Sequence, residues 1–171
     1  EVYYLTNSYF KWKSKIEELR GVQFTNRKFV EYKIPPTKNR SLLSQMIFNG
    51  KKIYLKDWVL PRLTDAKKMG YTDDQLQWVL DNEVYMWQYF IEKQLLFKTD
   101  SALSQRFIEP GPFSKFYLSI DNDSPSMIGK FIGWKIVKSF MKVSSSNLNE
   151  LIQYDPMYIY NNSKYKPSNY E

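Results

Sequence analysis

The 171-residue chain carries 25 Lys and Arg against 18 Asp and Glu, a net charge of +7, and it contains neither His nor Cys. Imidazole and thiolate chemistry is therefore excluded, and with it any zinc site or nucleophilic dyad built on those groups, and any disulfide. No apolar run reaches the roughly 20 residues that a helix needs to cross a bilayer, and the length suits one domain with its own core.

Hydrophobic spacing is helical nearly throughout, and no strand pair stands out. Ser8–Arg20 reads as a helix stopped by Gly21, and residues 26–33 as another, closed by Pro35-Pro36. Ser41 caps a stronger helix that runs to about Val59, before Pro61. Its apolar face comprises Leu42, Leu43, Met46, Ile47, Gly50, Ile53, Tyr54 and Trp58. Gly50 on that face predicts close contact with a neighbouring helix. Lys51, Lys52 and Lys56 on the same helix are expected on its solvated side.

Thr72-Asp73-Asp74-Gln75 is a capping box that opens a helix predicted to reach about Phe97. Leu76, Val79, Leu80, Trp87, Phe90 and Ile91 face inward on it, and Glu83 shares their face. A carboxylate in an apolar stripe must be paired, protonated or functional; a buried ion pair with Arg106 is the expected resolution. A short helix, Ala102–Ile108, follows the cap Ser101, and a Pro110-Gly111-Pro112 turn comes next. Ser124 as N-cap with Pro125 at the first position predicts a helix to about Val143. Gly129 and Gly133, four residues apart, let two helix backbones approach. Ser144-Ser145-Ser146 reads as a joint and cap for Asn147–Gln153, and a last helix begins at Pro156. Residues 1–34, 35–160 and 161–171 divide into an N-terminal helical part, a helical core domain and a polar, poorly ordered tail.

Charge is uneven. Residues 1–68 hold 15 Lys and Arg against 6 Asp and Glu, a balance of +9, whereas residues 69–171 hold 10 against 12, a balance of −2. A basic half suits an acidic partner or an anionic membrane surface. Nucleic acid is not expected, because no DNA- or RNA-binding signature accompanies the charge.

Catalytic chemistry has little to stand on. Six glycines build no phosphate cradle. Asp121-Asn122-Asp123-Ser124 resembles the start of a calcium loop but lacks the Gly at the sixth place and the Glu at the twelfth, so a capped turn is expected. Glu83, Glu92 and Glu109 have no spacing that makes a glycosidase pair. The reading is a binding protein with no catalytic residue, metal or cofactor. Its candidate binding or buried-polar site comprises Asn82, Glu83, Arg106, Phe113, Lys115, Phe116, Trp134 and Lys135. A carboxylate-based hydrolase-like groove that binds a peptide and a binder of anionic polymers or lipid surfaces are the alternatives.

The segments Leu42–Tyr54, Gly70-Tyr71-Thr72 with Trp78, and Asn82-Glu83 with Trp87 and Phe90–Lys93 resemble the gliding-motility lipoprotein GldB family of Bacteroidota. So do Pro112–Phe116, Ser124-Pro125, Gly133–Val137 and Ser163–Pro167; the ordered match covers roughly residues 35–167, and residues 1–34 match loosely. The resemblance implies a cell-envelope protein on the periplasmic side of the outer membrane, held by a lipid anchor and working with gliding or type IX secretion components. Members are about twice as long and carry a lipidated Cys near the start. This chain has no Cys and opens on Glu1-Val2-Tyr3-Tyr4, which reads as the interior of a longer protein. A more distant similarity is to helical zinc peptidases of the gluzincin type. Asn49-Gly50 stands where their second helix carries Glu-Gly, and nothing here can supply their His-Glu-x-x-His helix. That kinship implies a degenerate, metal-free pseudoenzyme in which Asn49 occupies a former ligand position.

Overall fold

The computed structural model describes residues 38–167, which are helical and contain no strand. The two N-terminal helices expected before Pro35 lie outside the described residues. The mainly α, multi-helix architecture expected from the sequence is what the chain adopts.

Two long helices organise it. Helix α1 (Leu42–Val59) starts where Ser41 Oγ accepts from the Ser44 amide, and the amides of Leu42 and Leu43 donate to the carbonyls of Lys98 and Leu96. Three of its otherwise unmatched N-terminal donors are thus satisfied. Its partner α6 (Ile128–Val143) crosses it face to face. A Cβ on Gly50 would lie 2.6 Å from the Trp134 amide nitrogen and closer still to the Gly133 carbonyl; one on Gly133 would strike the Met46 carbonyl. The glycine pair therefore sets a backbone-to-backbone approach, as Gly50 and the Gly129–Gly133 spacing predict. Leu42, Leu43, Met46, Ile47 and Ile53 are buried, but Trp58, expected inward, is 48% exposed, and Leu55 and Val59 carry the buried face to the helix end instead.

Helices α2 (Asp65–Met69), α3 (Asp73–Asp81) and α4 (Glu83–Glu92) wrap one side. The capping box Thr72–Gln75 forms in both directions. The single helix expected to Phe97 does not form. Asn82 turns its side-chain amide back onto the Trp78 carbonyl, which already receives the Asn82 backbone N–H, and the helix breaks there. Ile91, expected inward, is 50% exposed as a result, and the chain leaves α4 through Gln94 in the left-handed region.

Helix α5 (Ser101–Phe107) is capped by Asp100, whose carboxylate takes the Ala102 amide, so the start falls one residue before the expected one. A 3-10 turn, Ser119–Asn122, precedes α6. Ser124 does not cap α6. Its hydroxyl donates to the carbonyls of Ser114 and Asp121, stapling the loop shut, and α6 begins only at Ile128, after left-handed Met127. Helix α7 (Leu148–Gln153) takes Asn147, rather than the serines, as its cap, with a reciprocal bond to Glu150. Helix α8 (Pro156–Ser163) begins at the proline as predicted and packs on α6 and α1. The expected loose tail is ordered through Pro167: Ser163 is buried and accepts from Ser139 at its carbonyl, and Tyr165 packs edge-on against Trp87.

Candidate functional site

The eight site residues named from the sequence separate into two clusters on either side of α4.

The first surrounds Glu83, which begins α4 and is 4% exposed. Its carboxylate meets Lys135 Nζ at 2.9 Å and accepts the Tyr165 hydroxyl at 2.8 Å. The expected partner, Arg106, is not there. The break at Asn82 aims Glu83 at α6, where Lys135 projects, while Arg106 sits on the other cluster. Trp134 is buried, and its indole N–H donates to Asp57 at 2.7 Å. Asp57 also pairs with Lys68 at 2.8 Å and, more loosely, with Lys138. Burial opposes the charge on Lys68, but the hydrogen bonds and charges of Asp57 and Asp65 outweigh it and hold the Lys68 pKa above the ordinary lysine value. Lys138 lies 3.6 Å over the Trp134 ring. Glu83, Trp134, Lys135, Lys138 and Tyr165, with Leu76, Leu80 and Phe131, line an open groove of about 320 Å³, and the Asp57–Lys68 pair lies outside its lining.

Around the loop after the Pro-Gly-Pro turn lies the second cluster. Arg106 donates from Nε to the Lys115 carbonyl at 2.8 Å and from Nη2 to the Tyr89 hydroxyl at 3.2 Å, and its guanidinium stacks on Phe107 and Tyr117. Phe116 is buried edge-on against Tyr89, Phe113 is half-buried, and the Lys115 side chain is exposed. The Asp121 carboxylate accepts from three consecutive amides, Phe116 at 2.8 Å, Tyr117 at 3.0 Å and Leu118 at 3.4 Å. This carboxylate clamp coincides with Tyr117 in the left-handed region, φ 62°, a residue 74% exposed. The Asp121–Ser124 segment, which imitates a calcium loop in sequence, spends its first carboxylate on its own backbone. Beside it, Asn82, Tyr85, Tyr89, Phe116 and Leu118 border a shallow groove of about 240 Å³.

A third group was missed. Lys51 and Lys56, expected on a solvated face, are buried. Lys51 Nζ donates to the carbonyls of Ile152 and Tyr154, and Lys56 Nζ to that of Lys68 at 2.7 Å. Burial lowers the Lys51 pKa to about 8 despite Asp155 nearby. Burial, with the Lys130 and Lys52 charges behind it, lowers Lys56 to about 7 despite Asp57. The only sequence signal was their position beside Gly50 on a helix too apolar to leave much surface. Asn49 folds back along its own helix, its Nδ2 donating to the Gln45 carbonyl at 2.8 Å.

Among the described residues, no three His, Cys, Asp or Glu side chains group in a way that could hold a metal ion, and no helix is long and apolar enough to cross a membrane. A family model described as gliding motility protein GldB matches residues 3–167. No curated protein and no solved structure matches the chain.

Proposed function

The chain belongs to the GldB family of gliding motility proteins, and on that premise we propose that it is a non-catalytic component of the cell envelope that supports gliding by binding other envelope proteins. Its station is the periplasmic side of the outer membrane, through a lipid anchor outside this chain, and its partners include gliding or type IX secretion components. The matched family supports the gliding role. The binding role rests chiefly on Tyr117. A bulky residue in the left-handed region costs on the order of 1–2 kcal/mol, and such strain collects at functional sites. Here the Asp121 carboxylate clamp offsets it, and the result is an aromatic ring held out in water beside Leu118, with an Arg stacked behind it. Aromatic and Arg side chains are the usual anchors of protein interfaces. Glu83, held by Lys135 and Tyr165, supports a structural reading of that carboxylate over a catalytic one.

The test is recovery of partners from the envelope fraction by the tagged protein and by its Tyr117→Ala/Leu118→Ala variant. Envelope proteins that co-purify with the parent and are lost from the folded variant carry the reading. Equal recovery by both would remove the loop from it.

A further inference from the structure

We infer that Lys52, Lys56 and Lys130 form a binding site for a phosphate dianion, where the C-terminal half of α1 meets the first turn of α6. The site shares no residue with the Tyr117 loop and does not depend on the partner reading given above.

Lys52 and Lys56 are one turn apart on α1 and so share a face, and Lys130 comes from α6. The three ammonium groups lie close enough to repel one another: the charges of Lys130 and Lys52 act on Lys56, and that of Lys130 on Lys52. None of the three forms an ion pair among the described residues. Each Nζ has a weaker partner instead. Lys52 lies 4.2 Å over the Phe48 ring, Lys130 donates to the Met127 thioether at 3.3 Å, and Lys56 donates to the Lys68 carbonyl. Lys56 is buried and the other two are half-buried, so water replaces a counterion only in part. Burial accordingly lowers the pKa of all three. Two carboxylates lie within range, and neither pairs with them. Asp57 is held by Lys68 and the Trp134 indole, while Glu109 is exposed and accepts from Ser104. The start of α6 adds to the positive field, since its first turn has no acidic residue and no side-chain cap.

Charge and shape together decide the ligand. With every group ionised, three lysines against Glu109 leave a balance of +2, which a dianion cancels and a monoanion only halves. Three donors arriving from two helices call for three acceptor oxygens. A tetrahedral phosphate presents three and keeps a fourth towards solvent, whereas a carboxylate presents two in one plane. A phosphodiester, as in a lipid headgroup, carries one charge and two free oxygens and meets neither requirement. Lysine serves phosphate as a point charge, so the absence of an Arg fork is no obstacle.

The experiment is an amide NMR titration of the 171-residue chain, near neutral pH and at constant ionic strength, with inorganic phosphate, dimethyl phosphate and acetate. Phosphate should saturate with a Kd of about 1 mM or tighter, moving the amides of residues 52–56 and 127–130. Each monoanion should bind about tenfold more weakly, or worse. Lys52→Met/Lys130→Met should weaken phosphate by about tenfold. Lys98→Met/Lys142→Met, which removes two exposed charges at other places on the chain, should leave it unchanged. The same spectra check the fold of both variants, and the comparison among anions needs no variant. Failure of phosphate to saturate below about 20 mM overturns the inference, as do shifts centred away from these residues. Acetate or dimethyl phosphate binding as tightly as phosphate overturns the dianion, the second pointing to a lipid headgroup. Phosphate binding unchanged in Lys52→Met/Lys130→Met, or weakened equally in both double variants, overturns the site.

Discussion

Replacing Gly50 by Ala tests the contact on which the whole arrangement depends. On helix propensity alone the change stabilises, by about 1 kcal/mol. In the folded chain the new methyl would lie 2.6 Å from the Trp134 amide nitrogen, with the Gly133 carbonyl nearer still. Ordinary contact begins at 3.4 Å, so α1 and α6 must part by at least about 0.8 Å. The obstacle is backbone and cannot rotate away. A gap of that size forfeits a quarter to a half of the dispersion well of each contact across the seam. Overpacking of this kind costs about 3 kcal/mol or more, which leaves a net loss of about 2–3 kcal/mol after the propensity gain. For a chain of this length that lowers Tm by roughly 4–12 °C. Thermal and urea unfolding followed by circular dichroism reads the effect. Gly111→Ala, whose methyl meets nothing closer than the Phe113 carbonyl at 3.8 Å, serves as the neutral comparison. A Gly50→Ala chain as stable as the parent would mean that the helices do not meet backbone to backbone, and the packing argument would fall.

Three further outcomes are expected. Lys56 sits at about 7 in the folded chain against 10.5 ordinarily, so the unfolded chain binds the extra proton between those values and this group makes stability rise with pH from about 7 towards 10.5. The urea midpoint should climb more steeply from pH 7 to 9 in the parent than in Lys56→Met, and equal slopes would refute the assignment. Glu83→Ala should cost about 2 kcal/mol, below the usual loss for a broken buried pair, because the Lys135 side chain keeps 21% of its surface in water; a loss under about 0.5 kcal/mol in urea unfolding would mean the pair does not hold the groove together. Tyr117→Gly should leave stability within about 0.5 kcal/mol, since relief of the left-handed backbone offsets the lost stacking on Arg106, yet it should abolish partner recovery; retained recovery would separate the strain from binding.

The elements with strong local signals were legible in the sequence. Ser41 and the Thr72–Gln75 box mark helix starts because each supplies its own hydrogen bonds to nearby amides, and Pro156 marks one because its fixed φ and missing N–H suit the first helical position, with Asp155 before it accepting from the Met157 amide. Gly50 and Gly129–Gly133 announced the α1–α6 contact, since a missing side chain on an apolar face needs a reason. Ser124 misled because its hydroxyl had a better use across the loop, on the Ser114 carbonyl, ten residues away. The break at Asn82 was hidden by an uninterrupted apolar period, and with it went the identity of the Glu83 partner: a bend at one residue decides whether α6 or α5 faces the carboxylate. Lys51 and Lys56 were misplaced because their acceptors are backbone carbonyls, 101 and 12 residues distant, and a carbonyl leaves no mark in sequence. Tyr117 was passed over for a similar reason. Its exposure depends on Asp121 clamping three amides, and the composition of the loop does not disclose that geometry.

The most direct test of the binding account is a photoreactive amino acid placed at position 117 of the protein in its own cells, with position 98 as the comparison. The account predicts a discrete cross-linked species from position 117, containing an envelope protein of the gliding or type IX secretion machinery, and much less from position 98. Cross-links of equal weight from both positions, or only to the bulk cytoplasmic proteome, would contradict it.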